Sequence, residues 1–144
     1  MIQLFADLWQ TRDEHPFKSM PEAVHNAYLL TRPEGNILFY SPGPLRTHED
    51  DFQRIAELGR LRYHVISHYH EAGEGARDVK QIFNARFCCH SADSELAQQK
   101  GPPVDVVFDI GIEGVPDVAV LPTPGHTFGS ACFLYSSPHG ATYL

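Results

Sequence analysis

Short β-prone runs alternate with segments whose apolar residues recur at helical spacing. Residues 2–9 read as an opening strand. Residues 24–31 and 37–41 are β-prone and are joined by Arg32-Pro33-Glu34-Gly35-Asn36, whose turn-forming residues predict a hairpin. Pro42-Gly43-Pro44 stops its second strand. Thr47 is placed to cap a helix in which Phe52, Ile55 and Ala56 share one face, with Gly59 as its stop. A strand at 63–67 follows, then a helix over 76–83 burying Ala76, Val79, Ile82 and Phe83. Residues 85–89 return as a strand, and Ser91 is placed to cap a third helix to about residue 99. Beyond Pro102-Pro103 come β-prone segments at 104–108, 118–121 and 131–136. Ser137-Pro138-His139-Gly140 forms a turn, and 141–144 starts another strand. This order predicts an α/β layered fold with a mixed sheet, in one domain over residues 1–144.

Composition narrows the function classes. The chain of 144 residues is 42% hydrophobic and 20% charged, as expected of an ordinary globular domain. A net charge of −7 without any run of Lys or Arg argues against nucleic acid or an anionic membrane as the main partner. No apolar stretch approaches the roughly 20 residues a membrane span needs. The first residues lack the basic and apolar regions of a signal peptide, so a cytoplasmic location is expected. The three cysteines, Cys88, Cys89 and Cys132, make no disulfide framework. The adjacent pair lies in an apolar run and reads as buried small residues.

Among nine histidines, spacing selects three. His68-Tyr69-His70 follows the strand ending at Ser67, and residues two apart in extended backbone point the same way. His126 lies in Thr123-Pro124-Gly125-His126-Thr127-Phe128-Gly129-Ser130, also after a strand. Three neutral imidazoles leave an open position on zinc, the arrangement of a catalytic site, and zinc can bring the pKa of a bound water to about 7. Affinity for such an ion is expected to fall below about pH 6, where imidazoles protonate. The competing reading is that the three histidines bind no ion and persist as hydrogen-bonded relics in a cleft.

Three segments together resemble the metallo-β-lactamase superfamily, and they occur in its order. They are Asn26-Ala27-Tyr28-Leu29-Leu30 with Ile37-Leu38-Phe39-Tyr40, then Ile66-Ser67-His68-Tyr69-His70, then the loop around His126. The resemblance implies an αββα sandwich, metal ligation by His68, His70 and His126, and hydrolysis by metal-bound hydroxide. The substrate class it implies is an ester, thioester, amide or phosphoester. Two departures stand out. Where the family's His-x-His-x-Asp-His motif has its Asp and third His, this chain has Ala72 and Gly73, and Gly75 and Ala76 fill the closing small pair. Neither Ala72 nor Gly73 offers a ligating side chain, so one zinc or other divalent ion is expected rather than two. The strand that in the family closes with Gly-Asp lies beyond Leu144, so the sandwich is expected to be incomplete in this chain.

Glu71 and Glu74 flank the substituted position. Glu71, beside His70, is the better candidate for a replacement ligand or general base, and the competing reading makes it a solvated carboxylate on a turn. Surface roles are expected for His25, His48, His64, His90 and His139, and core packing for Tyr69. Asn26 and Tyr28 read as scaffold, and Asp7, Asp109 and Asp117 are assigned no role. The leading reading is a metal-dependent hydrolase acting on a small molecule. The alternative is a non-catalytic module of the same fold that binds a ligand or partner. A chain ending in a strand is expected to leave a sheet edge open, covered by further chain or by a second copy.

Overall fold

The computed structural model describes residues 1–15, 19–20 and 22–144. A seven-stranded sheet runs in chain order: β1 (Ile2–Gln3), β2 (Leu8–Gln10), β3 (Tyr28–Leu30), β4 (Asn36–Phe39), β5 (Leu61–Val65), β6 (Arg86–His90) and β7 (Val106–Phe108). Strands β1 to β4 pair antiparallel and β4 to β7 pair parallel. The parallel crossovers are made by α1 (Leu45–Glu57), α2 (Glu74–Phe83) and α3 (Ser94–Lys100). A second, antiparallel sheet holds β8 (Val118–Pro122), β9 (Ala131–Ser137) and β10 (Gly140–Tyr143), with β9 in the middle. The predicted α/β class and mixed sheet are therefore present.

Period-two burial builds the layers. Ile37, Phe39, Tyr63, Val65 and Cys88 face one way and pack with Val118, Val120, Phe133 and Tyr135 of the second sheet. Leu29 and Leu38 face the other way, onto Phe52 and Ile55 of α1 and Val79 of α2. A third cluster sets Phe87 and Cys89 against Ala72, Ala76 and Ala97. The described residues thus form three layers, helices on sheet on sheet. Burial pushes the thiols of Cys88 and Cys89 up to about 12, in keeping with inert packing groups. No helix among the described residues is long and apolar enough to cross a membrane.

Several predicted details change. The opening strand is two strands, because Leu4 and Phe5 both donate backbone N–H to Leu8 and close a turn between them. Helix α1 begins at Leu45, ahead of Thr47. Thr47 provides no cap; Asp78 of α2 accepts the Leu45 N–H at 2.8 Å instead. Ser91 opens a 3-10 turn rather than capping α3, and the side chain of His90 accepts the Ala92 N–H. Ile82 is 46% exposed, since the buried stripe of α2 runs through Gly75, Ala76 and Val79. At Gly75 the helix approaches the segment between β4 and α1 so closely that a Cβ would lie 2.0 Å from the Pro42 carbonyl oxygen, which explains the small residue there.

Two histidines expected at the surface are buried. His48 is turned inward where α1 kinks, with Nε2 3.3 Å from Glu14 Oε2. His64 is buried because β5 is covered on both faces, as central parallel strands are. Its Nε2 lies 3.1 Å from the Tyr40 carbonyl, which fixes the proton on that nitrogen and leaves Nδ1 bare. Desolvation lowers the His64 pKa to about 4. The unfolded chain therefore binds a proton near pH 6.5 that the folded chain refuses until about pH 4. This group's contribution is complete above pH 6.5 and is lost as pH falls toward 4, in total roughly 3 kcal/mol. Urea titrations from pH 7 to 4 are expected to give a shallower loss of stability for His64→Gln than for the parent. Parallel pH curves for the two proteins would refute this assignment.

Candidate metal centre

The three selected histidines meet at one rim of the sandwich. Strand β5 ends at Val65, and the chain continues through Ile66 and Ser67 to His68, which is extended (φ −161°, ψ 160°). Tyr69–Glu71 then folds into a 3-10 turn. The expected extended run through His70 is thus corrected: the turn, not strand alternation, brings His70 back beside His68. Tyr69 is half-buried and packs, as expected, against the core cluster that holds Phe87, Cys89 and Ala97. Its ring lies 4.1 Å from that of His70, and Lys100 Nζ sits 4.6 Å above it. The loop between β8 and β9 brings in His126 from the other sheet. A backbone bond from Ala131 N–H to the Ser67 carbonyl, 3.0 Å long, stitches the two sheets beside the site.

Each of His68, His70 and His126 offers one ring nitrogen, and these nitrogens all lie within 4.8 Å of one another. His70 Nδ1 and His126 Nε2 face each other at 2.9 Å. His68 is half-buried, and the other two are exposed. His68 Nδ1 lies 2.8 Å from Ser67 Oγ and 3.0 Å from Glu71 Oε1. The Ser67 hydroxyl donates to the same carboxylate oxygen at 2.5 Å, and the Ser67 N–H reaches Oε2 at 3.3 Å. An acceptor-only carboxylate keeps the proton on Nδ1 and turns the lone pair of Nε2 outward.

Glu71 is therefore not the solvated turn carboxylate of the competing reading. Its side chain is only 6% exposed and is turned onto His68. Desolvation, then the Lys100 ammonium and the adjoining imidazoles of His126 and His68, disfavours a charged His70 and lowers its pKa, which favours the neutral form that a metal ligand needs. Donor chemistry fits one borderline-soft cation: three imidazoles on an open rim, one of them oriented by a carboxylate.

The substituted motif positions have different surroundings. Ala72 is fully buried against Ala76 and Ala97 and points into the core, away from any ligand set. At Gly73 an added Cβ would meet nothing within 4 Å. Glu74 pairs with Arg46 on the surface and takes no part in the cluster. The unassigned acids are engaged elsewhere: Asp7 with Tyr135, Asp117 with Arg32 and Asp109 with Ser91. Asp93, which the sequence did not single out, lies beneath the centre. A cleft of about 470 Å³ beside it is lined by Tyr69, Leu96, Pro124, His126 and Phe128.

No family model matches the sequence, and no curated protein matches it. Solved structures do match the fold. A Cronobacter sakazakii metallo-β-lactamase described by its HARLDQ motif superposes with a TM-score of 0.64 at 24% identity, over 80% of this chain and 50% of that one. FIM-1 from Pseudomonas aeruginosa, a metallo-β-lactamase in its mono-zinc form, gives 0.70 at 14% identity, over 92% and 62%. A quorum-quenching N-acyl homoserine lactone hydrolase gives 0.65 at 21% identity, over 99% and 74%. The chain spans about half to three-quarters of the length of these structures. With its sheet-on-sheet core, its helices on one outer face and these superpositions, the chain has the metallo-β-lactamase fold.

Proposed function

We propose that this chain carries a mononuclear metal centre of hydrolytic type, with His68, His70 and His126 as ligands to one divalent ion, zinc by donor preference. The observation that carries the reading is the convergence of three ring nitrogens from loops of two different sheets, with His68 tied by Glu71. When bound, zinc supplies Lewis acidity toward a carbonyl or phosphoryl oxygen and acidifies water at neutral pH. The chain's own part is positional. Glu71 and Ser67 hold the proton on His68 Nδ1, and the adjoining cleft gives a small substrate apolar walls next to His126.

With Ala72 buried and Gly73 bare, no side chain at those positions holds a second ion or orients water, so slow turnover is expected. The same observation favours a second reading, a metal-binding module without catalysis. The two readings separate in one experiment. Zinc-loaded protein is assayed with p-nitrophenyl acetate and a simple thioester, alongside His68→Ala. Hydrolysis above background that disappears in the variant supports the enzyme. Zinc binding without hydrolysis supports the module.

A further inference from the structure

Asp93 ends the 3-10 turn Ser91–Asp93 after β6 and is 2% exposed. Both of its oxygens are engaged by the two loops that carry the histidines. Oδ2 accepts the Tyr69 N–H at 3.1 Å and the Thr127 hydroxyl at 2.6 Å, and Oδ1 accepts the Gly129 N–H at 2.9 Å. Tyr69 stands between His68 and His70, and Thr127 directly follows His126. Ser130 Oγ lies 2.9 Å from Thr127 Oγ1 and accepts the Thr127 N–H at 3.0 Å. Because the Thr127 proton goes to Asp93, the Ser130 hydroxyl donates to Thr127 and extends the chain of bonds. At Gly129 a Cβ would lie 2.6 Å from Asp93 Cγ, so only glycine lets the loop close on the carboxylate.

We propose that Asp93 is a positioning residue that sets the placement of His126 relative to the His68–His70 pair. The inference rests on the metal-centre reading above. Three donors from two loops require a group that only accepts, and an ionised carboxylate is that group. An asparagine in its place would turn an NH₂ toward at least one N–H or O–H donor. An alanine would leave three donors without their acceptor, two of them on buried residues.

The test uses the full chain with Asp93→Asn and Thr127→Val, and Asp50→Asn as control, whose carboxylate is 86% exposed. Zinc affinity is measured by competition with a chromophoric chelator. Amide hydrogen exchange is measured on metal-free protein. Asp93→Asn is expected to lose roughly tenfold or more in zinc affinity, the range for groups that orient ligands. Thr127→Val should move the same way by less, and Asp50→Asn should match the parent. In metal-free Asp93→Asn, protection of the Tyr69 and Gly129 amides should drop while that of the β4 and β5 amides holds.

Unchanged affinity in folded Asp93→Asn, or protection lost evenly across β4 and β5, overturns the proposal. If Asp93→Asn does not fold, Thr127→Val decides by the same criteria. A parent protein that binds no zinc sinks the metal-centre reading, while the exchange pattern still decides whether Asp93 holds the loops.

Discussion

Glu71→Ala is expected to bind zinc roughly 10–100-fold more weakly than the parent, the usual cost of removing a carboxylate that orients a ligating imidazole. His68 explains why. Its Nδ1 has two partners, Ser67 Oγ and Glu71 Oε1, and the hydroxyl is itself anchored on Glu71. Without the carboxylate the serine can rotate, and the imidazole is free to place its proton on either nitrogen. Glu71→Gln should fall between alanine and the parent, because the amide oxygen still accepts but carries no charge to raise imidazole basicity. Chelator competition at pH 7.5 reads all three proteins. An affinity for Glu71→Ala within twofold of the parent would remove Glu71 from the centre.

The contrast with a general base is instructive. A base must face the reacting water, whereas both oxygens of this carboxylate are taken up by Ser67 and His68. Glu71 is thus better described as a positioning residue than as the replacement for the acid missing at position 72.

Much of the fold is legible in the sequence because burial on one face leaves a period. Leu29 and Leu30, or Ile37 and Leu38, send successive side chains to opposite layers. The turn residues at 32–36 mark the hairpin without ambiguity. Where the pattern misleads, tertiary contacts have overridden local preference. Asp78, 33 residues away, caps α1 and moves its start, and His64 is polar yet lies on a strand covered from both sides.

The histidine constellation is legible for a similar reason, since spacing and loop chemistry are local. How it converges is not. That depends on a 3-10 turn over Tyr69–Glu71, and nothing in His68-Tyr69-His70 distinguishes the turn from an extended strand. The burial of Glu71 follows from the same turn. Asp93 is the least legible of all, because its three donors come from Tyr69, Thr127 and Gly129, far away in sequence.

The most direct test of the central claim, that three histidines form one metal centre, is metal content. Protein purified without chelator and analysed for its elements is predicted to hold about one divalent ion per chain. Chain-equivalent metal should drop close to zero in His126→Ala, because two imidazoles that are partly open to water hold an ion far less firmly than three. A parent protein with metal near zero, even after dialysis against zinc, and no difference in His126→Ala would contradict the account.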